Sequence, residues 1–106
     1  ENGSDYLAQM FRKLRQQREK TPRWFDEDPV DLFRHHVWMN PFWEDDVDEV
    51  VEIMGADHVI FGSDWPHVEG MPTPLDYVAE VKGLSDDDRR LVLRDNVRGL
   101  TELRPA

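Results

Sequence analysis

The chain has 106 residues, a formal net charge of −10, no cysteine and an apolar share of 39%, with a mean hydropathy of −0.73. The charge argues against nucleic acid and anionic membrane surfaces as partners, because both are held by Lys and Arg. The absent thiols remove disulfides and thiolate sites, and no apolar run approaches the ~20 residues that span a bilayer, so cytoplasm is the expected compartment.

The first element is a helix after Glu1-Asn2-Gly3, capped by Ser4 or Asp5. Leu7, Met10, Phe11 and Leu14 follow the spacing of one buried stripe. Thr21-Pro22 stops it. Asp26-Glu27-Asp28-Pro29 reads as a loop, with Pro29 opening a short helix over Val30 to Arg34. His35 and His36 are adjacent, so their side chains diverge on either regular backbone; a surface or packing role suits them better than a shared metal. Residues 37–40, Val-Trp-Met-Asn, form the first strand candidate, closed by Pro41. Phe42 and Trp43 follow, either stacking on a ligand ring or packing under a loop. Glu44-Asp45-Asp46 opens the next helix with acids at its positive end, Val47, Val50, Val51 and Met54 form its stripe, and Gly55 ends it.

The second strand candidate spans residues 58–63. Its Val59-Ile60-Phe61 run is of the β-branched and aromatic type that suits burial on both faces. Strand, helix and strand in that order make a βαβ unit with a parallel pair and a right-handed crossover. The expected fold class is therefore α/β: two short parallel strands, at about 37–40 and 58–63, with four to five helices. Beyond the second strand, Thr73, Pro74 and Asp76 signal a helix carrying Tyr77, Val78, Val81 and Leu84. Ser85 caps a last helix whose stripe holds Val92, Leu93, Val97 and Leu100, with Asn96 among them and in need of a polar partner.

The chemistry-bearing stretch is Gly62-Ser63-Asp64-Trp65-Pro66-His67, followed by Glu69-Gly70. It gathers two carboxylates and an imidazole at the C-terminal mouth of a core strand, where parallel folds keep their sites. Read alone, Asp64 could equally be a turn former or helix cap, and His67 a loop residue. Trp and His flanking Asp-Pro exceed what a turn requires.

The run from Phe61 to Gly70 resembles the last-strand motif of the amidohydrolase-related metal enzymes, a group that includes aromatic-acid and carboxymuconate-semialdehyde decarboxylases. The resemblance extends from Glu1-Asn2-Gly3 to Asn96 and implies a specific set of expectations. Residues 1–106 would be the C-terminal portion of one (β/α)8 barrel domain, since a whole barrel needs roughly 250 residues. Asp64 would bind a catalytic divalent metal, commonly zinc, whose other ligands lie on earlier strands, and both it and Glu1 would be catalytic. Glu1 would sit at the sixth strand's mouth, where many relatives carry His. His67, Trp65, Asn40 and Phe42 would contact a small-molecule substrate. The implied activity is hydrolysis of C–N or C–O bonds or non-oxidative decarboxylation, with no metal bound and no turnover by these residues alone. Open strand edges would favour self-association into homo-oligomers. The rival from another class is a non-catalytic acidic helical protein-interaction module, consistent with 34% charged residues.

Overall fold

A computed structural model describes residues 2–102. Glu1, expected to be catalytic, lies outside the described residues. Helix α1 spans Tyr6–Lys20 and buries Leu7 and Phe11, with Met10 and Leu14 packed beside them. Neither expected side chain caps it; the Leu7 N–H donates to the Ser4 carbonyl instead. Its C-terminus is tied off by Thr21, whose N–H and hydroxyl both donate to the Gln17 carbonyl. A 3-10 turn at Pro22–Trp24 leads to α2, Pro29–His36. There the Asp28 carboxylate accepts from the Val30 N–H and pairs with Arg18 of α1. Phe11 and Phe33 meet edge to face at 5.4 Å, joining the two helices. Arg34 lies over Phe11 and donates to the Ile53 carbonyl at 2.7 Å, near the end of α3 (Val47–Met54).

The expected α/β class, with parallel strands at 37–40 and 58–63, does not hold. Among the described residues there is no β-strand, and the two segments share one isolated parallel bridge, Met39 to Val59. The Met39 N–H donates to the His58 carbonyl and the Ile60 N–H to the Met39 carbonyl, each at 2.8 Å. The ladder stops there for identifiable reasons. One pair further on, Pro41 has no N–H to offer. One pair back, the Val37 N–H already donates to the Phe33 carbonyl and the His58 N–H to Gly55. A 3-10 turn at Ala56–His58 holds the latter contact. The backbone groups a ladder needs are spent on helix ends.

The other side of the second segment is occupied by helix. Ser85 caps α4, Asp86–Arg90, by accepting from the Asp88 N–H. The helix then widens into a π turn, Leu91–Asp95, and continues as α5, Asn96–Thr101. Phe61 donates its N–H to the Val92 carbonyl at 3.0 Å. The Asn96 side chain donates to the carbonyls of Ala56 and Val59, both at 2.7 Å, which supplies its expected partner. The helix expected from Thr73 onward is instead a 3-10 segment, Pro74–Ala79, followed by turns. Tyr77 and Val81 are buried while Val78 stands 55% exposed, so the segment still turns one apolar face to the core. One core joins these parts, with Leu7, Val30, Val50, Val59, Val81 and Val92 among its members.

Candidate functional site

Asp64 follows the bridged segment on left-handed backbone, with φ of 55°. Such a conformation is uncommon outside glycine, although Asp tolerates it better than most residues. It turns the chain immediately. The His67 N–H donates to the Asp64 carbonyl at 2.8 Å, and the Met71 N–H to the Ser63 carbonyl at 2.8 Å. The Trp65 N–H donates to Ser63 Oγ at 3.2 Å. Gly70 closes the loop so tightly that only a residue without Cβ fits against the Asp64 carbonyl group. The loop thus carries its own hydrogen-bonded frame.

Within it, His67 Nδ1 stands 3.2 Å from Asp64 Oδ2, and both side chains are 52% exposed. At that distance the imidazole lies within ion-pair range of the carboxylate, although the ring nitrogen is not aimed for a hydrogen bond. The pair is therefore accessible, with the two groups side by side.

Asp64 opens onto a cleft of about 400 Å³. Asn40, Phe42, Glu44, Asp45 and Glu69 line it with Asp64. Asp45 is structural as well as acidic. Its carboxylate accepts from the Ser4 N–H at 3.1 Å and the Phe42 N–H at 2.7 Å, which pins the N-terminal segment to the loop before α3. A second cleft, of about 610 Å³, shares Phe42 and Glu69 and adds Trp43, Val68 and Pro72. Trp43 Nε1 donates to the Glu69 carbonyl at 3.2 Å, clasping the Asp64 loop from the side.

Of the residues the sequence nominates, Asp64, Asn40 and Phe42 meet at one cleft, and His67 joins through Asp64. Trp65 does not: it points out at 63% exposure and lines neither cleft. Asn40 packs so close to Gly62 that an added Cβ there would meet its amide at 2.4 Å. His35 and His36 are exposed and stack edge to face on one another. Glu69, gathered with Asp64 in the sequence motif, does line the cleft; sequence reasoning missed Asp45 and Tyr6. Asp45 reads in sequence as one more acid at a helix start, and nothing local shows that residue 4 folds back onto it.

Beneath the site, Tyr77 packs on Phe61 with ring centroids 4.7 Å apart. Its hydroxyl is buried and has no hydrogen-bond partner among the described residues. Burial, and then the Glu80 and Asp45 carboxylates, push its pKa up to about 12.

Among the described residues, no three His, Cys, Asp or Glu side chains are placed to hold a metal. Asp64 offers an accessible carboxylate, with His67 beside it. These residues fit one corner of a divalent-metal site and not a whole one.

The sequence profile of the Amidohydrolase family matches residues 2–100. Among solved structures, the chain is similar to an amidohydrolase from Mycobacterium avium subsp. paratuberculosis K-10, at 42% identity and a TM-score of 0.89. The match covers 94% of this chain and 26% of that one. No curated protein matches.

Proposed function

Because this chain belongs to the amidohydrolase family, we propose that it is the C-terminal portion of a metal-dependent hydrolase that cleaves a C–N or C–O bond of a small molecule, with Asp64 as its reacting carboxylate. The observation that carries the reading is the Asp64–His67 pair, 3.2 Å apart at the mouth of a cleft. Left-handed backbone at a carboxylate is a local cost of the kind that gathers at functional sites. Support for incompleteness comes from the packing. The radius of gyration is 15.6 Å, against ~13 Å for a compact domain of similar length. Trp24, Val68 and Leu75 are 75%, 92% and 82% exposed. Such faces are ordinary where more protein packs on them.

In this reading Asp64 provides one ligand to a divalent cation, zinc being the ion that best suits mixed imidazole and carboxylate donors. The remaining ligands belong to polypeptide outside these residues. When bound, the ion supplies Lewis acidity and acidifies water. The chain's own residues then orient and relay. His67, adjacent to the Asp64 carboxylate, passes a proton between Oδ2 and the solvent its own exposed face meets. Asn40 and Phe42 flank the substrate, one by amide hydrogen bonding and one by ring contact.

The test uses the full-length protein. Asp64→Asn should lower turnover of an ester, lactone or amide substrate on the order of 10³-fold and reduce bound divalent metal, measured by elemental analysis. Carbon dioxide release from a carboxylic-acid substrate without hydrolysis would replace hydrolysis by decarboxylation. Unchanged metal content and turnover in Asp64→Asn would overturn the assignment.

A further inference from the structure

The C-terminal helix contains a feature that neither its capping nor its apolar stripe requires. Over Leu91–Asp95 it takes one π turn, and the Asn96 N–H bonds to the Leu91 carbonyl five residues back. An α-helix would bond that N–H to Val92. The π turn leaves the Val92 carbonyl available, and Phe61 uses it, donating at 3.0 Å. The extra residue also rotates the next turns of the helix by about 100° relative to an uninterrupted one. Asn96 then faces the segment that leads to Asp64 and donates to Ala56 and Val59 at 2.7 Å each. Because both acceptors are carbonyls, the atom between them must be the amide nitrogen, which has two protons to give.

The alternation of the extended backbone makes these contacts specific. Met39 takes the groups of His58 and Ile60 that point one way. Val92 and Asn96 take those of Phe61 and Val59 that point the other. With no sheet to define the segment's path, its far side is defined by this helix. The last of these bonds lies three residues before Asp64. π turns of this kind recur at functional sites, and here the turn has a definite product: it fixes the backbone that presents the carboxylate.

We infer that Asn96 is a positioning residue for Asp64, acting through the Ala56–Phe61 backbone with the π turn's Val92 carbonyl. The inference rests on the proposal that Asp64 is a metal ligand. The Asn96 side chain reaches neither cleft, so it has no direct part in chemistry or substrate binding.

The experiment is cobalt(II) titration of the metal-free full-length protein, followed by visible absorption, well below the unfolding temperature of every variant. Asn96→Ala and the isosteric Asn96→Asp, which loses both donors, should weaken cobalt affinity by about 10- to 100-fold and shift the absorption band. Phe11→Ala, a core truncation that lines neither cleft, should lower thermal stability and leave affinity and spectrum unchanged. If Asn96→Ala does not fold, Asn96→Ser, which keeps one donor, carries the test with a smaller shift in the same direction. Wild-type affinity and spectrum in the Asn96 variants, with Asp64→Ala deficient, would overturn the positioning role and leave the ligand assignment standing. Wild-type affinity in Asp64→Ala would overturn both.

Discussion

At Gly70 an added Cβ would sit 2.4 Å from the Asp64 carbonyl oxygen and 2.6 Å from its carbon. Backbone cannot step aside without moving the carboxylate, so Gly70→Ala should cost on the order of 2–3 kcal/mol in urea denaturation. Gly62→Ala meets the Asn40 amide at a similar 2.4 Å, but that obstacle is the free end of an exposed side chain. It should cost less than about 1 kcal/mol, and Asn40→Ala should relieve it in a double-mutant cycle. Tyr77 gives a second residue-level expectation. Its pKa rises from 10.0 unfolded to about 12 folded, because burial and two carboxylates disfavour the phenolate. The stability this contributes is complete below the unfolded value and disappears as pH climbs through the folded one. Alkaline unfolding midpoints should therefore fall between pH 10 and about 12 in the wild type. Tyr77→Phe should flatten that limb, and at neutral pH it should be neutral or stabilising, since the buried hydroxyl has no partner among the described residues.

At the scale of elements, α2 is held at its start by Asp28. The Val30 N–H, and after it the Arg18 guanidinium, hold that carboxyl below its ordinary value of 3.8, against an opposing effect of burial. A depressed folded pKa means stability present above the unfolded value and lost as pH falls through the folded one. Asp28→Asn should therefore reduce the acid sensitivity of the unfolding midpoint measured from about pH 5 downward. The helices whose signals are local were legible in sequence. Leu7 and Phe11, Val47 with Val50 and Met54, and the Ser85 cap all sit where spacing and capping chemistry put them. The strands were not, because an apolar run shows that a segment is buried and not what pairs with it. Of Val59-Ile60-Phe61 only Val59 is fully buried; Met39 bonds the main chain on one side, at His58 and Ile60, and the helix bonds it on the other, at Val59 and Phe61. The π turn has no sequence signature of its own, since it exists to meet a partner about 30 residues away in the chain. The gathering of Asp64, Asn40 and Phe42 was legible for a related reason, as all three lie just past the two bridged positions. Asp45 and Tyr6 depend on the fold-back of the N-terminal segment, which no spacing within either stretch encodes.

At the scale of the whole molecule, apolar side chains are distributed between a small shared core and several open faces. No helix among the described residues is long and apolar enough to cross a membrane. Self-association of this 106-residue chain is the expected outcome. The asymmetry around Val59 decides its form. The helix side is sealed by Val92 and Asn96, whereas on the Met39 side the main-chain groups of Trp38 and Asn40 make no hydrogen bond among the described residues. That main-chain margin, as distinct from the open apolar faces, can be joined once. Two copies that meet along it leave no free main-chain margin for a third, so sedimentation should resolve a reversible step to a pair. A ladder of ever larger particles would mean that the open apolar faces, and not the margin at Trp38 and Asn40, govern how copies meet.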